Sequence, residues 1–346
     1  MPLERAAAFA PGRVNLIGEH TDYNGGLALP FAIAEGITVR AERQQQPRIS
    51  AHAVDIGEHD SFALADRSRA SGWRAFVRGT VAELNDAGLR PAGARLEIRG
   101  ELPRGAGLSS SAALEVALCL ALLALRDGGR ELDRVEIARL GSRVERNWVG
   151  AQTGLLDQLA SLCGRPGTAL LIDFATLAVE PVPLRLGRWR LVVLDSGERH
   201  AHAISGYNQR RAECARACQL LGVRTLREVR AEDAERLPEP LRARVRHVLS
   251  ENERVLAAVA ALRADELPAL GELLNASHRS LRDCYAVSTP AVESTVRELL
   301  DAGAAGARMI GGGFGGSVLG LLAPSVAAPE GAREVRAGAG AHVLGA

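Results

Sequence analysis

Short apolar runs alternate with polar and glycine-rich segments through the first part of the chain. Residues 37–41 and 96–98 are rich in apolar and β-branched side chains, which predicts strands. Residues 111–125 are apolar on nearly every side, so we expect a helix that is buried all round. The pattern therefore mixes both kinds of secondary structure from the start.

A second helical pattern follows over residues 135–149. Leu140, Val144 and Trp148 recur at a spacing of four, which predicts one amphipathic helix over this range. Glu145 borders that apolar face, and this position would put its carboxyl group at the edge of a cleft. A solvated helix face is the plainer interpretation of the same residue.

Beyond residue 167 the apolar runs become shorter. Residues 169–173 and 191–194 are strand-like, and arginine-rich helices are predicted from about 207 to 274. A clean alternation of strand and helix is missing, which argues against a doubly wound sheet and favours an α+β class. The Ala/Gly/Pro-rich tail after residue 322 is compositionally weak, and we expect it to be partly loose.

The length suggests two lobes. A chain of 346 residues exceeds the size at which a single hydrophobic core usually stops growing. The glycine turn at 164–167 is the candidate boundary, which predicts an N-terminal lobe of residues 1–165 and a C-terminal lobe of residues 166–346.

Composition and charge exclude several classes of function. Hydrophobic residues make up 47% and charged residues 24%, as in ordinary globular proteins. A formal net charge of +1 creates no field that would attract nucleic acid or an anionic membrane. The longest uncharged apolar run, 116–125, is about half a bilayer span. No apolar h-region stands before Pro11, so we expect no secretory signal. We expect small-molecule partners, a cytoplasmic location and a monomer.

The cysteines suggest a reducing compartment. Five of them are scattered along the chain, at Cys119, Cys163, Cys214, Cys218 and Cys284. His200 and His202 shortly precede Cys214, which raises a zinc hypothesis. The spacing departs from the usual C-x2-C pattern, so ordinary thiols are the favoured interpretation.

All 42 basic residues are arginines, because the chain contains no lysine. Neither a P-loop lysine nor a strand lysine of the protein-kinase type is therefore available to bind a phosphate. Residues 103–113, PRGAGLSSSAA, could bind a phosphate without a lysine. A loop of small residues at the start of a helix exposes backbone amides to an anion. The alternative is that Ser109, Ser110 and Ser111 only cap the apolar helix. Three serines exceed what a cap needs, so phosphate binding is favoured.

A polar cluster stands near the N-terminus, in GRVNLIGEHTDYNGG at residues 12–26. Arg13, Glu19, His20 and Asp22 lie within ten residues of turn-forming sequence, a set suited to a polyhydroxylated ligand. A solvated turn and a metal site are the alternatives that remain open.

A third glycine-rich segment, MIGGGFGGSVLGLL, occupies residues 309–322. It predicts two strands joined by a glycine loop. Such a loop either lets a ligand approach the backbone or simply makes a tight hairpin.

These three segments, in this order, resemble the three motifs of the GHMP kinases, and GEHTDY resembles the galactokinase branch in particular. Further similarity covers nearly the whole chain, in WRAFVRG, ERNWVGAQTGLLDQ, GYNQRRAEC and HRSLRDCYAVS. The resemblance implies a two-lobed α+β fold with mixed sheets and an active site between the lobes. It also implies transfer of the γ-phosphoryl group of ATP, with Mg²⁺, to the C1 hydroxyl of D-galactose.

The resemblance also implies a role for individual residues. Catalysis falls to Asp157 and Arg13. Galactose binding falls to Glu19, His20, Asp22, Gly154 and Tyr207. Nucleotide binding falls to Gly105, Ala106, Gly107, Leu108, Ser109, Ser110, Ser111 and Trp73. The magnesium ligands would be Ser111 and Glu145.

Three related functions share these motifs. A kinase for N-acetylgalactosamine or for L-arabinose would differ only in the pocket around the sugar substituents. A sensor that binds galactose and ATP without transferring phosphate would be a different class. Such sensors can lack the Ser-Ala pair of the phosphate loop, and Ser111-Ala112 is present here, which favours catalysis.

Overall fold

The computed structural model describes residues 3–102, 107–126, 128, 131–199 and 203–345. Its strands are β1 Arg5–Asn15, β2 Leu27–Ala28, β3 Pro30–Arg43, β4 Arg48–Ala53, β5 Glu58–Ala63, β6 Ala94–Gly100, β7 Thr168–Asp173, β8 Ala178–Pro183, β9 Arg190–Arg199, β10 Gly306–Met309, β11 Gly315–Leu322, β12 Arg333–Val335 and β13 His342–Leu344.

The helices are α1 Trp73–Asp86, α2 Ser110–Ala124, α3 Arg134–Val144, α4 Leu156–Cys163, α5 Ala203–Leu221, α6 Ala231–Ala234, α7 Leu241–Arg263, α8 Leu267–Ser280 and α9 Pro290–Asp301. Two π-helical turns extend α3 and α8, over Glu145–Val149 and Leu281–Tyr285 respectively. None of the helices in the described ranges is long and apolar enough to cross a membrane.

The strands form three sheets. The largest has the order β13-β1-β3-β6-β4-β5, and it is mixed because β4 and β6 run parallel while the other neighbours run antiparallel. A second sheet has the order β10-β11-β9-β12, and a third the order β2-β7-β8. The predicted α+β class with mixed sheets is confirmed, and no doubly wound sheet is formed within the described residues.

The apolar helix is confirmed within one residue at each end. Helix α2 packs against β1 and β3, and it buries side chains on all faces, as its sequence predicts. Its first residues follow Ser109, which adopts a left-handed backbone with φ 56° and makes no side-chain cap. The capping interpretation of Ser109 is therefore wrong.

The prediction of one amphipathic helix over residues 135–149 is only partly right. Regular α-helix ends at Val144, and residues 145–149 form the π-helical turn, which closes at Gly150 with φ 90°. A π turn adds a residue to the helical repeat, and such insertions are frequent at functional sites. Here the turn begins at Glu145.

The tail that we expected to be partly loose contributes two short strands. Strand β12 pairs with β9, and β13 pairs with β1 at the edge of the largest sheet. Strand pairing uses backbone groups, so even an Ala/Gly-rich segment can join a sheet as a short edge strand. The tail thus returns to the strand that carries Arg13.

Candidate active site

A cavity of about 250 Å³ collects the polar residues of the N-terminal cluster. Its volume suits a ligand smaller than a typical drug-sized molecule. Its lining combines early, middle and late parts of the chain: Arg13, Asn15, Glu19, His20, Asp22, Ala151, Thr153, Gly154, Leu156, Asp157, Ile204, Tyr207, Asn208, Gly311, Gly312 and Gly313. Every residue that the resemblance assigned to catalysis or to galactose binding lines this one cavity.

Arg13 and Asp157 form an ion pair at the cavity wall. The Nε and Nη2 atoms of Arg13 lie 2.8 and 2.7 Å from Oδ1 of Asp157. The Ser109 hydroxyl donates to Oδ2 at 2.5 Å, and Nη1 of Arg13 donates to the Gly107 carbonyl at 2.7 Å. Asp157 lies in the first turn of α4, where the helix dipole favours an anion. The phosphate loop and the acid are thus held in direct contact.

Glu145 is buried beside the start of α2. Its Oε1 atom accepts a hydrogen bond from Ser111 Oγ at 3.2 Å, and its Oε2 atom accepts from Thr153 Oγ1 and from Gln158 Nε2. Burial raises the pKa of Glu145 to about 7, although these donors oppose the shift. The solvated-face interpretation of Glu145 is wrong, since the residue is only 4% exposed.

Behind Glu145 lies a second buried acid, Glu115, one turn after Ser111 on α2. Gln158 Nε2 donates to Oε2 of Glu115 at 3.2 Å, and Oε1 has no partner among the described residues. Burial, followed by the charge of Glu145, raises the pKa of Glu115 well above its usual range. The Gln158 amide therefore bridges the two carboxyl groups.

Glu19 is held by backbone and side-chain donors at the opposite wall. The Gly311 amide donates to its Oε1 atom at 2.7 Å, and Nδ2 of Asn15 donates to its Oε2 atom. Burial raises the pKa of Glu19 to about 7, and the positive charges of Arg308 and Arg13 lower it in part. The solvated-turn interpretation of this segment fails, because Glu19 is 3% exposed.

Asp22 and Gly154 meet in the same wall. A Cβ atom on residue 154 would overlap the Asp22 carboxyl group, so only glycine permits this close approach. Burial, and then the nearby charge of Asp157, raises the pKa of Asp22 to about 6. No group of three or more His, Cys, Asp or Glu residues suited to a metal ion occurs in the described ranges.

All three tyrosines of the chain surround His20. Its ring centroid lies 5.3 Å from that of Tyr207, 5.9 Å from that of Tyr23 and 4.6 Å from that of Tyr285. Nδ1 of His20 hydrogen-bonds the Tyr23 hydroxyl at 2.8 Å. The Tyr23 hydroxyl in turn hydrogen-bonds the Tyr285 hydroxyl at 2.9 Å, and the Tyr285 hydroxyl lies 3.0 Å from Cys214 Sγ.

The electrostatics of this cluster keep His20 uncharged. Burial lowers the pKa of His20 to about 3, and the second cause is His247. Its Nε2 atom has no hydrogen-bond partner among the described residues. A neutral imidazole with one free nitrogen can hydrogen-bond a ligand hydroxyl group.

A separate apolar cavity of about 400 Å³ adjoins the other face of the serine loop. Trp73 lines it, and its indole N–H group donates to Glu58 Oε2 at 2.8 Å. Ser110 and Ser111 reach the same cavity, whereas Ser109 contacts Asp157. The start of α2 thus stands between a small polar cavity and an apolar one.

Gly107 and Leu108 line neither cavity. Gly105 and Ala106 lie outside the described residues, as do His200 and His202 of the zinc hypothesis. Gly107 contributes its carbonyl to Arg13, and the Leu108 carbonyl accepts from the Arg13 amide at 3.1 Å.

The third glycine segment forms the predicted hairpin of β10 and β11. Its loop lines the polar cavity through Gly311, Gly312 and Gly313, and Gly311 needs the left-handed φ of 81° with which its amide meets Glu19. The hairpin is therefore part of the site and not only a tight turn.

Sequence reasoning missed Glu115, Tyr23, Tyr285, His247 and Arg308. The first is hidden in an apolar helix. Tyr23 and Tyr285 lie within segments that carried the resemblance, but nothing in their spacing indicated that they meet.

Comparisons with known proteins identify the family of the chain. The model of the GHMP kinase N-terminal domain matches residues 75–165, and the model of the GHMP kinase C-terminal domain matches residues 258–340. The galactokinase galactose-binding signature matches residues 2–43. Fold and site thus define a GHMP kinase.

Individual relatives show which branch of the GHMP kinases the chain belongs to. A galactokinase from Mycobacterium tuberculosis is 44% identical over 321 residues, 90% of this chain and 88% of that protein. A galactokinase from Thermotoga petrophila is 40% identical over 311 residues, 90% of this chain and 87% of that protein. The chain belongs to the galactokinase family.

Solved structures give the same result. The crystal structure of Lactococcus lactis galactokinase complexed with galactose has a TM-score of 0.90 and 32% identity, and the match covers 98% of this chain and 95% of that one. Mevalonate kinase from Methanococcus jannaschii has a TM-score of 0.60 at 18% identity, covering 93% and 91% of the two chains, which indicates a shared fold.

Proposed function

We propose that the chain transfers the γ-phosphoryl group of ATP to the C1 hydroxyl of D-galactose, giving galactose 1-phosphate and ADP. The observation that carries this proposal is the contact between the serine loop and the acid of the polar cavity. Ser109 donates to Asp157 at 2.5 Å, so a phosphate at the loop and a hydroxyl at the acid would be neighbours. Phosphoryl transfer requires chiefly this kind of positioning, together with neutralisation of charge.

The sugar would occupy the polar cavity. Glu19, His20 and Asp22 line this cavity with polar side chains suited to several hydroxyls, and Tyr207 supplies an aromatic wall. The backbone at Gly154 lies beside Asp22, where any larger residue would fill the space. The galactokinase relatives and the galactose complex of the Lactococcus lactis protein support galactose as the substrate.

The nucleotide would lie across the start of α2. The apolar cavity, with Trp73, suits the adenine ring, and the serines at its edge lead towards the polar cavity. Backbone amides at the helix start, with the dipole of α2, would bind phosphate oxygens without a lysine. We assign nucleotide binding to residues 105–111 and Trp73.

Ser111 and Glu145 fit a Mg²⁺ ion. Their Oγ and Oε1 atoms are 3.2 Å apart, and adjacent oxygen ligands of this ion are separated by about 2.9 Å. One carboxylate and one hydroxyl group suit an ion that keeps several waters and phosphate oxygens. When bound, the ion would neutralise phosphate charge. Gln158 and Thr153 would orient the carboxylate.

Asp157 would orient the C1 hydroxyl and accept its proton as the oxygen attacks the γ-phosphorus. Arg13 supports this role because its guanidinium group, 2.7 Å away, compensates the carboxylate. The O–P bond to the sugar forms while the bond between the β–γ bridging oxygen and the γ-phosphorus breaks, and ADP leaves with the electron pair.

We also propose lobes of residues 1–165 and 166–346, with the catalytic cavity between them. Residues from both ranges line that cavity, which supports the division. A cytoplasmic location agrees with five free cysteines. The monomeric state is likewise a proposal.

A coupled assay of ADP release tests the function. Purified protein is assayed with ATP, Mg²⁺ and, separately, galactose, N-acetylgalactosamine, L-arabinose and mevalonate. We expect strong turnover with galactose. Preferred turnover of another sugar would overturn the substrate assignment, and binding of galactose without turnover of any acceptor would support a sensor instead.

A further inference from the structure

Arg308 has the largest side chain that the described part of the chain buries completely. It lies on β10, one residue before the end of that strand, and the other three residues of the strand are buried too. Burying a guanidinium group costs free energy unless acceptors surround it, and an apolar residue of similar volume would usually serve packing as well or better. A charge at this position therefore requires an explanation.

The contacts of Arg308 converge on one segment near the N-terminus. Its Nη1 atom donates to the carbonyl oxygens of Asn15 at 2.9 Å and Leu16 at 3.1 Å. Its Nη2 atom lies 3.6 Å from Oε1 of Glu19. The Glu19 contact is an ion pair and not a hydrogen bond, and neither Nη2 nor Nε has a hydrogen-bond partner among the described residues. The three contacted oxygens all belong to residues 15–19, which we call the sugar loop, almost 300 positions away along the chain.

Glu19 is the acid that forms an ion pair with Arg308. Glu251 also lies nearby, but its oxygens already accept hydrogen bonds from Gly18, Ser277 and Arg254, at 3.0, 2.6 and 2.7 Å. No other carboxylate in the described ranges lies within ion-pair distance of Arg308.

Strand β10 and its loop hold one carboxyl oxygen from two directions. The Gly311 amide donates to Oε1 of Glu19 at 2.7 Å, and Arg308 approaches the same atom. Because Asn15 and Glu19 both line the polar cavity, a shift of this segment would move cavity atoms directly.

We propose that Arg308 is a positioning residue for the sugar site. Its guanidinium group fixes the Glu19 carboxylate and the backbone of the sugar loop in the arrangement that receives the ligand. This inference rests on the proposed function, since it assigns Arg308 to the sugar and not to the nucleotide. It also gives the third glycine motif a part in sugar recognition.

Two substitutions test the role. Arg308→Met keeps the length and removes the charge, and we expect it to raise the KM for galactose at least about tenfold while the KM for ATP changes less than about twofold. Arg308→Lys keeps the charge but cannot both donate to the two carbonyls and place a separate nitrogen beside Glu19, so we expect an intermediate KM for galactose. Calorimetric titration with galactose, without nucleotide, should give the same order.

A merely structural role predicts a different result. Loss of folded protein would lower the apparent kcat and leave the KM for galactose unchanged. Arg190→Met is the matched control, since Arg190 lies in the same sheet, donates to the Val326 carbonyl and lines neither cavity. A galactose KM within about twofold of the wild type in folded Arg308→Met protein would overturn the inference. If that variant does not fold, an unchanged KM in Arg308→Lys would do so.

A double variant tests the path through Glu19. If Arg308 positions that carboxylate, Arg308→Met should raise the galactose KM less in a Glu19→Gln background than in the wild type. Fully additive effects of the two substitutions on the galactose KM would contradict a path through Glu19. Absence of wild-type turnover with any sugar would remove the proposed function itself, whereas normal wild-type turnover with unaffected variants would remove only the role of Arg308.

Discussion

The active site has two walls that are built in different ways: a phosphate side, which reaches the polar cavity at Asp157, and a sugar side, which lies within that cavity. The phosphate side consists of Ser109, Ser111, Glu145 and Asp157, which lie within 49 residues of one another and belong to the start of α2, the π turn and α4. The sugar side consists of Glu19, His20, Asp22 and Tyr207. Its supports come from residues far apart in the chain, including Tyr285 and Gly311.

Asp157 differs in exposure from the sugar side, whereas Glu145 is nearly as buried as Glu19. Asp157 keeps 24% of its side chain accessible. Glu19 and His20 are 3% and 4% exposed, within a continuous network of hydrogen bonds and rings. The phosphate side therefore combines an accessible acid, Asp157, with a buried one, Glu145, whereas the sugar side depends on many buried contacts. Substitutions on the first should change turnover, and on the second affinity.

Asp157→Asn should produce the largest effect. The amide keeps the shape but loses the charge paired with Arg13 and the ability to accept a proton, so we expect kcat to fall by about 10²–10⁴-fold. Galactose affinity should change much less. Steady-state kinetics and calorimetric binding check the two halves of this statement. Near-normal turnover would exclude Asp157 from the mechanism.

Glu145→Gln should act next most strongly. Loss of the carboxylate removes the charged ligand that we propose for the metal, and we expect the Mg²⁺ concentration for half-maximal rate to rise at least about tenfold. Galactose binding measured without metal should be unaffected. Thr153→Ala, which removes only a donor to Glu145, should give a smaller shift in the same direction. A galactose affinity that falls together with the metal dependence would contradict the separation of the two walls.

These walls also differ in how far the sequence predicts them. Local patterns indicated the apolar helix and the serine loop, because helix periodicity and loop composition are encoded within a few residues. The resemblance was needed to give Asp157 and Glu145 their roles. The π turn was missed because no proline or glycine interrupts residues 145–149; only Gly150 marks its end.

The supports of the sugar side could not be predicted. Arg308 meets Asn15 and Tyr285 meets Tyr23 only after three sheets and several helices have assembled. No local signal distinguishes a buried arginine on a strand from one that faces solvent. The strands of the tail were missed for a related reason, since β13 joins β1 through backbone pairing that composition does not reveal.

The buried acid Glu19 predicts a pH dependence of stability in the ligand-free protein. Its pKa is raised from 4.5 to about 7 on folding, so the folded state binds this proton more tightly than the unfolded state. The resulting stability is fully present below pH 4.5 and is lost as the pH rises through 7. We expect the free energy of unfolding to fall by about 2 kcal/mol from this group between pH 5 and 7.5.

Glu19→Gln tests that contribution. Urea denaturation at several pH values should show a flatter dependence in the variant than in the wild type, while Asp22, whose pKa is raised to about 6, keeps part of the slope. Equal slopes in the two proteins would mean that Glu19 is not held in a desolvated environment.

Tyr23→Phe should give the smallest effect and the sharpest contrast between the walls. Its hydroxyl joins His20 Nδ1 to Tyr285, and its loss leaves a buried ring nitrogen without that partner. We expect a cost of about 1 kcal/mol, or about fivefold in galactose affinity, because the imidazole is held less firmly towards the cavity. The Mg²⁺ dependence should not change. Cys214→Ala, at the far end of the same chain of contacts, is the control and should alter affinity less than about twofold. Equal effects of the two substitutions on galactose affinity would mean that the cluster acts only through packing. A larger effect of Tyr23→Phe would mean that the Tyr23 hydroxyl orients His20.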